Sequence, residues 1–173
     1  MERLVQTPFI EQVASSIKET GEFKRELIDS ELAEIMQGVV KSLLTGQDKV
    51  KANVPQMDVK IENSQGVVQG KIQVSKPITA TIGVGIKLVN SEKPGQIKLA
   101  GLGIKEDGKG LTAKLALKAI NIKGKAQEAL KNPNQALGKA LYSQLLPKGV
   151  KLESVALSFL DNKLSTTLKG KSA

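Results

Sequence analysis

The chain has 173 residues, 40% of them apolar and 25% charged, with a formal net charge of +9 and no His, Cys or Trp. That size and balance suit one folded domain over 1–173, with a helical N-terminal region (1–46) and a sheet with inserted helices and a closing hairpin (47–173). The missing residue types exclude imidazole bases, thiolate nucleophiles, disulfides and nitrogen or sulfur metal sites, which argues for a binding protein that needs no cofactor over an enzyme.

Charge is unevenly placed. Residues 1–35 hold eight acids against four bases, so the remainder carries +13. All but two of the 26 bases are Lys, a hydrated point charge that attracts anionic surfaces but lacks the bidentate fork of Arg. The opening residues show no basic segment followed by an apolar one, and no apolar run approaches the length of a bilayer span. The expectation is a soluble chain, cytoplasmic or exported with its signal removed.

Thr7-Pro8 reads as an N-cap and first helical residue, and Phe9, Val13 and Ile17 then recur every four residues until Gly21. Residues 22–28 suit either a brief strand or a link, anchored by Phe23. Asp29 or Ser30 is expected to cap a longer helix. Its apolar stripe is Leu32, Ile35, Met36, Val39, Val40, Leu43 and Leu44, and Gly46 supplies the stop.

After Pro55 the period changes to two. Met57, Val59 and Ile61 alternate with Asp58, Lys60 and Glu62 up to a turn at 63–66, and the return strand sets Val68, Gly70, Ile72 and Val74 on one face. A longer alternation follows through Ile78, Ala80, Ile82, Val84, Ile86 and Leu88. A turn over 90–95 leads to a strand from Ile97 to about Ile104, and Glu106-Asp107-Gly108-Lys109-Gly110 reads as another turn. Residues 111–122 fit helix or strand, with a slight lean to helix. A helical pattern after Gly124 is interrupted at Asn132-Pro133, which recaps a helix carrying Leu137, Leu141 and Leu145 until Pro147. The end reads as a hairpin around Asp161-Asn162-Lys163, with a bulge near Glu153-Ser154 where the parity changes. The fold class expected is α+β: a curved, mostly antiparallel sheet of about six strands in one layer, wrapped on one face by amphipathic helices.

Candidate chemistry is sparse. Asp58 and Glu62 share a strand's polar face with Lys60 between them, which is the signature of a solvated face. Glu106-Asp107-Gly108 lacks the further acids of a calcium loop. Neither Gly101-Leu102-Gly103 nor Gly108-Lys109-Gly110 has the spacing or following helix of a phosphate loop. The charge raises nucleic acid, but the basic region offers only Tyr142 and Phe159 for stacking, which argues against it.

Apolar strand faces with lysines around their rim also fit an acyl chain with an anionic head, although periodicity alone favours the same residues filling a dry core. The segments "SELAEIMQGVVKSLL" and "VKIENSQGVVQGKIQV", a second long strand pair, and the ending "LPKGVKLESVALSFLDNKLSTTLKG" resemble small bacterial lipid-binding proteins of the LmeA-like phospholipid-binding family and wider relatives of the tubular lipid-binding superfamily. The resemblance spans about 25–170. It implies a long helix wrapped on a strongly curved sheet, enclosing an apolar groove for lipid. The expected function is therefore non-enzymatic binding of a lipid or other hydrophobic ligand, with an anionic membrane surface as a further partner. The groove would lie between helix 30–45 and the strands of 56–104, lined by Ile35, Val39, Leu43, Ile72, Ile82, Val84, Ile86 and Leu88. Two alternatives stay open: a scaffold or interaction protein with a fully packed core, and a Lys-rich binder of anionic surfaces or nucleic acid.

Overall fold

The computed structural model describes residues 8–44, 51–53, 57–76, 79–107 and 122–173. Helix α1 (Pro8–Thr20) buries Phe9, Val13 and Ile17. It ends where Gly21, at φ +80°, donates its N–H to the Ile17 carbonyl at 2.8 Å, the single bond of a left-handed C-terminal cap. The ambiguous segment is strand β1 (Glu22–Leu27), with Phe23 and Leu27 inward.

Helix α2 (Asp29–Leu44) starts differently from the expectation. The Ile28 carbonyl accepts the first helical bonds from Glu31 and Leu32, so Ile28 occupies the cap position. Glu31 reaches back to accept the Ile28 N–H at 3.1 Å, half of a capping box. Asp29 is thereby free for another task and accepts the Ile61 N–H at 3.1 Å, pinning the helix start to a neighbouring strand. Gly46 and Thr7 lie outside the described residues.

Strands β2 (Lys51–Asn53), β3 (Met57–Glu62), β4 (Gln65–Lys76), β5 (Ala80–Asn90) and β6 (Ile97–Asp107) form an antiparallel sheet in which both β2 and β3 pair with β4. The β3–β4 turn is Asn63-Ser64, both at positive φ, as a two-residue turn matched to strand twist requires. Lys87 pairs with Gly101 and Leu88 with Leu99, so Ala100 is a bulge. That extra residue lets Ile97 and Leu99 before it, and Leu102 and Ile104 after it, pack on the same core. Glu106 and Asp107 continue β6 instead of opening a turn. Residues 108–121, including most of the ambiguous segment, and Ile78 lie outside the described residues.

Helix α3 (Ile122–Ala129) leads to α4 (Pro133–Leu145), whose Asn132 cap accepts the Gln135 N–H at 3.2 Å. A short 3-10 turn (Leu146–Lys148) follows, then β7 (Val150–Leu160) and β8 (Lys163–Ser172). Pairing shifts between Leu152 and Ser154, which leaves Glu153 as the bulge that the parity change implies.

The class is α+β with antiparallel pairing throughout the described strands, but the single layer of about six strands becomes eight strands in two sheets. The second sheet has the order β1-β8-β7, because β1 pairs with the distant β8 and never joins the meander. Both sheets contribute to one apolar cluster running from Phe9 to Leu168. Helix α1 packs on the three-stranded sheet, α2 on β3 and α4, and α4 on β7 and β6. No described helix is long and apolar enough to cross a membrane.

Candidate functional site

Seven of the eight residues expected to line a groove converge in the core. Ile35 and Val39 from α2 are each 2% exposed, and Ile72, Ile82, Val84, Ile86 and Leu88 from β4 and β5 lie between 0% and 6%. They share one continuous cluster. Leu43 lies in the last turn of α2, outside the residues whose side chains are described.

Space opens elsewhere. Helices α2 and α4 approach closely at Gly38, where a Cβ would stand 3.7 Å from the Ala140 Cβ and 3.5 Å from Gln144 Nε2. Around that crossing, α2, α3 and α4 enclose a cleft of about 770 Å³. Its lining is mixed: Val39, Ala129, Ala136 and Ala140 give a strip of short apolar side chains, and Lys41, Glu128, Lys139 and neighbouring Ser and Gln side chains supply the polar remainder. Glu34, one helical turn before Gly38, has its carboxyl pushed above the usual range by burial and then by the neighbouring Glu31 charge.

A second cavity of about 390 Å³ lies on the other side of α4, against the β7 bulge and the segment leading into β6, where Gln96, Tyr142, Glu153 and Ser154 meet. Gln135 and Lys139, one turn apart on α4, border both cavities. The third is a depression of about 600 Å³ on the outer face of the five-stranded sheet, floored by Gly83, Gly85 and Gly103 between Lys71 and Lys105. Of the groove set, Val39 borders the first and Val84 the third, whereas Ile35, Ile72, Ile82, Ile86 and Leu88 border none of these three.

In the sequence the leucines of α4 mark a core stripe and say nothing of the wall beside it. Ala140, against Gly38, and Ala136, one turn before it on the cleft wall, carry the signal that two helices approach without filling the space beside their crossing. No group of three or more acidic residues able to hold a metal occurs among the described residues. Neither a scan against protein-family models nor a search of curated proteins finds a match to this chain.

Proposed function

We propose that this protein is a non-catalytic carrier or sensor of an amphiphilic, lipid-like molecule, whose apolar part lies in the cleft between α2, α3 and α4. The observation that carries this reading is the cleft itself: about 770 Å³, within the span of small-molecule sites, with a strip of short apolar side chains set among more numerous polar ones. Burying an acyl chain there gains roughly 25 cal/mol for each square ångström of apolar surface removed from water. Lys41 and Lys139, both solvent-exposed at its margin, would attract an anionic head by screened Coulomb attraction. The resemblance to LmeA-like and tubular lipid-binding proteins supports the same class of ligand while placing it between helix and sheet. The interhelical cleft offers an opening at a different place.

The rival reading, a scaffold with a packed interior, is favoured by the burial of the seven expected groove residues in one core. The two separate in native mass spectrometry of the purified protein, followed by solvent extraction. A carrier yields an additional mass of a few hundred daltons that extraction removes and added fatty acid restores. A bare polypeptide mass that fatty acid leaves unchanged selects the scaffold.

A further inference from the structure

The depression of about 390 Å³ beside α4 is smaller and more open than the interhelical cleft and has a similarly mixed lining. Its polar groups come from three separate elements: Gln135, Lys139 and Tyr142 from α4, Ser154 from the β7 bulge, and Gln96 from the segment before β6. Asn134 also borders it but is fully engaged, accepting the Ile97 N–H at 2.9 Å and donating to the Gly95 and Val155 carbonyls at 2.8 and 3.0 Å. The Tyr142 and Ser154 hydroxyls and the side chains of Gln96, Gln135 and Lys139 form no hydrogen bond or ion pair among the described residues. Five polar side chains without partners among the described residues thus border one depression, four of them solvent-exposed and Tyr142 half-buried.

Their character selects a ligand class. Amides and hydroxyls both donate and accept, which matches alcohol groups that do the same. One lysine at one margin and Glu153 at another, the latter 3.6 Å from Lys171, do not make the cationic cluster that a phosphate needs. Tyr142, Leu152 and Val155 add apolar surface for the C–H side of a ring. We propose that this cavity binds a hydroxyl-rich ring, a sugar or cyclic polyol, with Tyr142 as its central contact. Because Gln135 and Lys139 border both cavities, the ring has two sources: a free saccharide, or the head of a glycolipid whose chain lies in the interhelical cleft. The second source rests on the proposed function above.

The test uses the full chain, titrated by isotope-edited NMR with methyl glucoside, methyl galactoside and methyl mannoside, with octyl glucoside below its micelle-forming concentration, and with decanoate. Saturable binding of a methyl glycoside, with shifts centred on Tyr142 and Ser154, supports the site and a free sugar. Octyl glucoside binding at least tenfold tighter than decanoate, with the methyl glycosides silent, supports a glycolipid head. In either case Tyr142→Leu should weaken sugar binding at least tenfold and leave decanoate unaffected. Tyr142→Phe, which preserves the ring packing, should weaken sugar binding to a smaller extent. Decanoate binding without any advantage for octyl glucoside and without methyl glycoside binding overturns the sugar site alone. Sugar binding without decanoate binding leaves the site standing and removes the lipid reading. Silence from every probe, or sugar binding indifferent to both Tyr142 variants, overturns the proposal.

Discussion

Arg25 shows how much a single residue can gather. Its guanidinium lies 5.7 Å from the Phe9 ring centroid and 5.6 Å from that of Phe23, and it pairs with the Glu31 carboxylate. The two rings meet edge to face at 6.2 Å, so α1, β1 and α2 are joined through one planar cation and two of the chain's three phenylalanines. Lysine cannot reproduce the planar stack or the fork. Arg25→Lys should therefore lower stability by about 1–2 kcal/mol in urea unfolding, with little loss expected from an exposed pair such as Lys60 with Glu62. Phe9 and Phe23 were legible as anchors from helical spacing and from standing alone in a polar segment. Arg25 was not, because its partners come from separate elements.

Glu34 carries a pH dependence. Burial and the Glu31 charge raise its folded pKa above the ordinary value of 4.5, so the folded state holds the proton more tightly than the unfolded chain. Its contribution favours folding when protonated and is lost as pH rises through the raised value. Glu34→Gln should melt at a higher temperature than the parent protein at pH 7, with the gap shrinking as pH falls through the raised value and closing below the ordinary 4.5. A gap that is constant across pH would place the effect elsewhere.

At the scale of elements, two asparagines fasten the sheets together. Asn90 at the end of β5 accepts the Phe159 N–H at 2.6 Å and donates to the Phe159 carbonyl at 3.0 Å. Asn134 makes its three bonds to β7 and to the entry of β6 while 9% exposed. Replacing Asn134 with Leu keeps the bulk but strands the Ile97 N–H and takes a donor from the Val155 carbonyl and from the Gly95 carbonyl, which keeps the Leu157 N–H. The expected cost is about 3 kcal/mol in denaturant unfolding, against about 1 kcal/mol for Asn132→Ala, which removes only a helix cap. Most elements were legible: period-two alternation located β3 to β6, and Gly21 and Pro147 marked helix ends. The division into two sheets was not legible, since it depends on β1 pairing with β8 across most of the chain. Period and turn chemistry determine local conformation and leave such distant partners unspecified. The Ala100 bulge was hidden in the same way, in a strand whose parity change went unread.

For the whole molecule, the aliphatic composition does what it implied: a core built mainly from Leu, Ile and Val, with Phe159 at 1% exposure the most buried of its three phenylalanines. The residues chosen for a groove were chosen by face, and that face is correctly inward. Whether an inward face lines a cavity depends on the size of what stands opposite it, which one strand's periodicity cannot report. The open space instead adjoins the short side chains of α4. Lys60, Lys71, Lys87, Lys98 and Lys105 lie on the outer face of the five-stranded sheet, Lys60 and Lys98 paired with Glu62 and Glu92, and the proposed carrier would meet an anionic bilayer through this face. Any association with anionic vesicles should weaken steeply between low and moderate salt.

The most direct test of ligand binding in the cleft is a titration with a fluorescent fatty-acid probe, comparing the parent protein with Ala136→Phe, which fills the cleft from α4. Circular dichroism would verify that both are folded. The expected result is saturable binding of one probe per parent chain and at least a tenfold loss in the variant. No binding to the parent protein, or equal affinity in a folded Ala136→Phe variant, would contradict it.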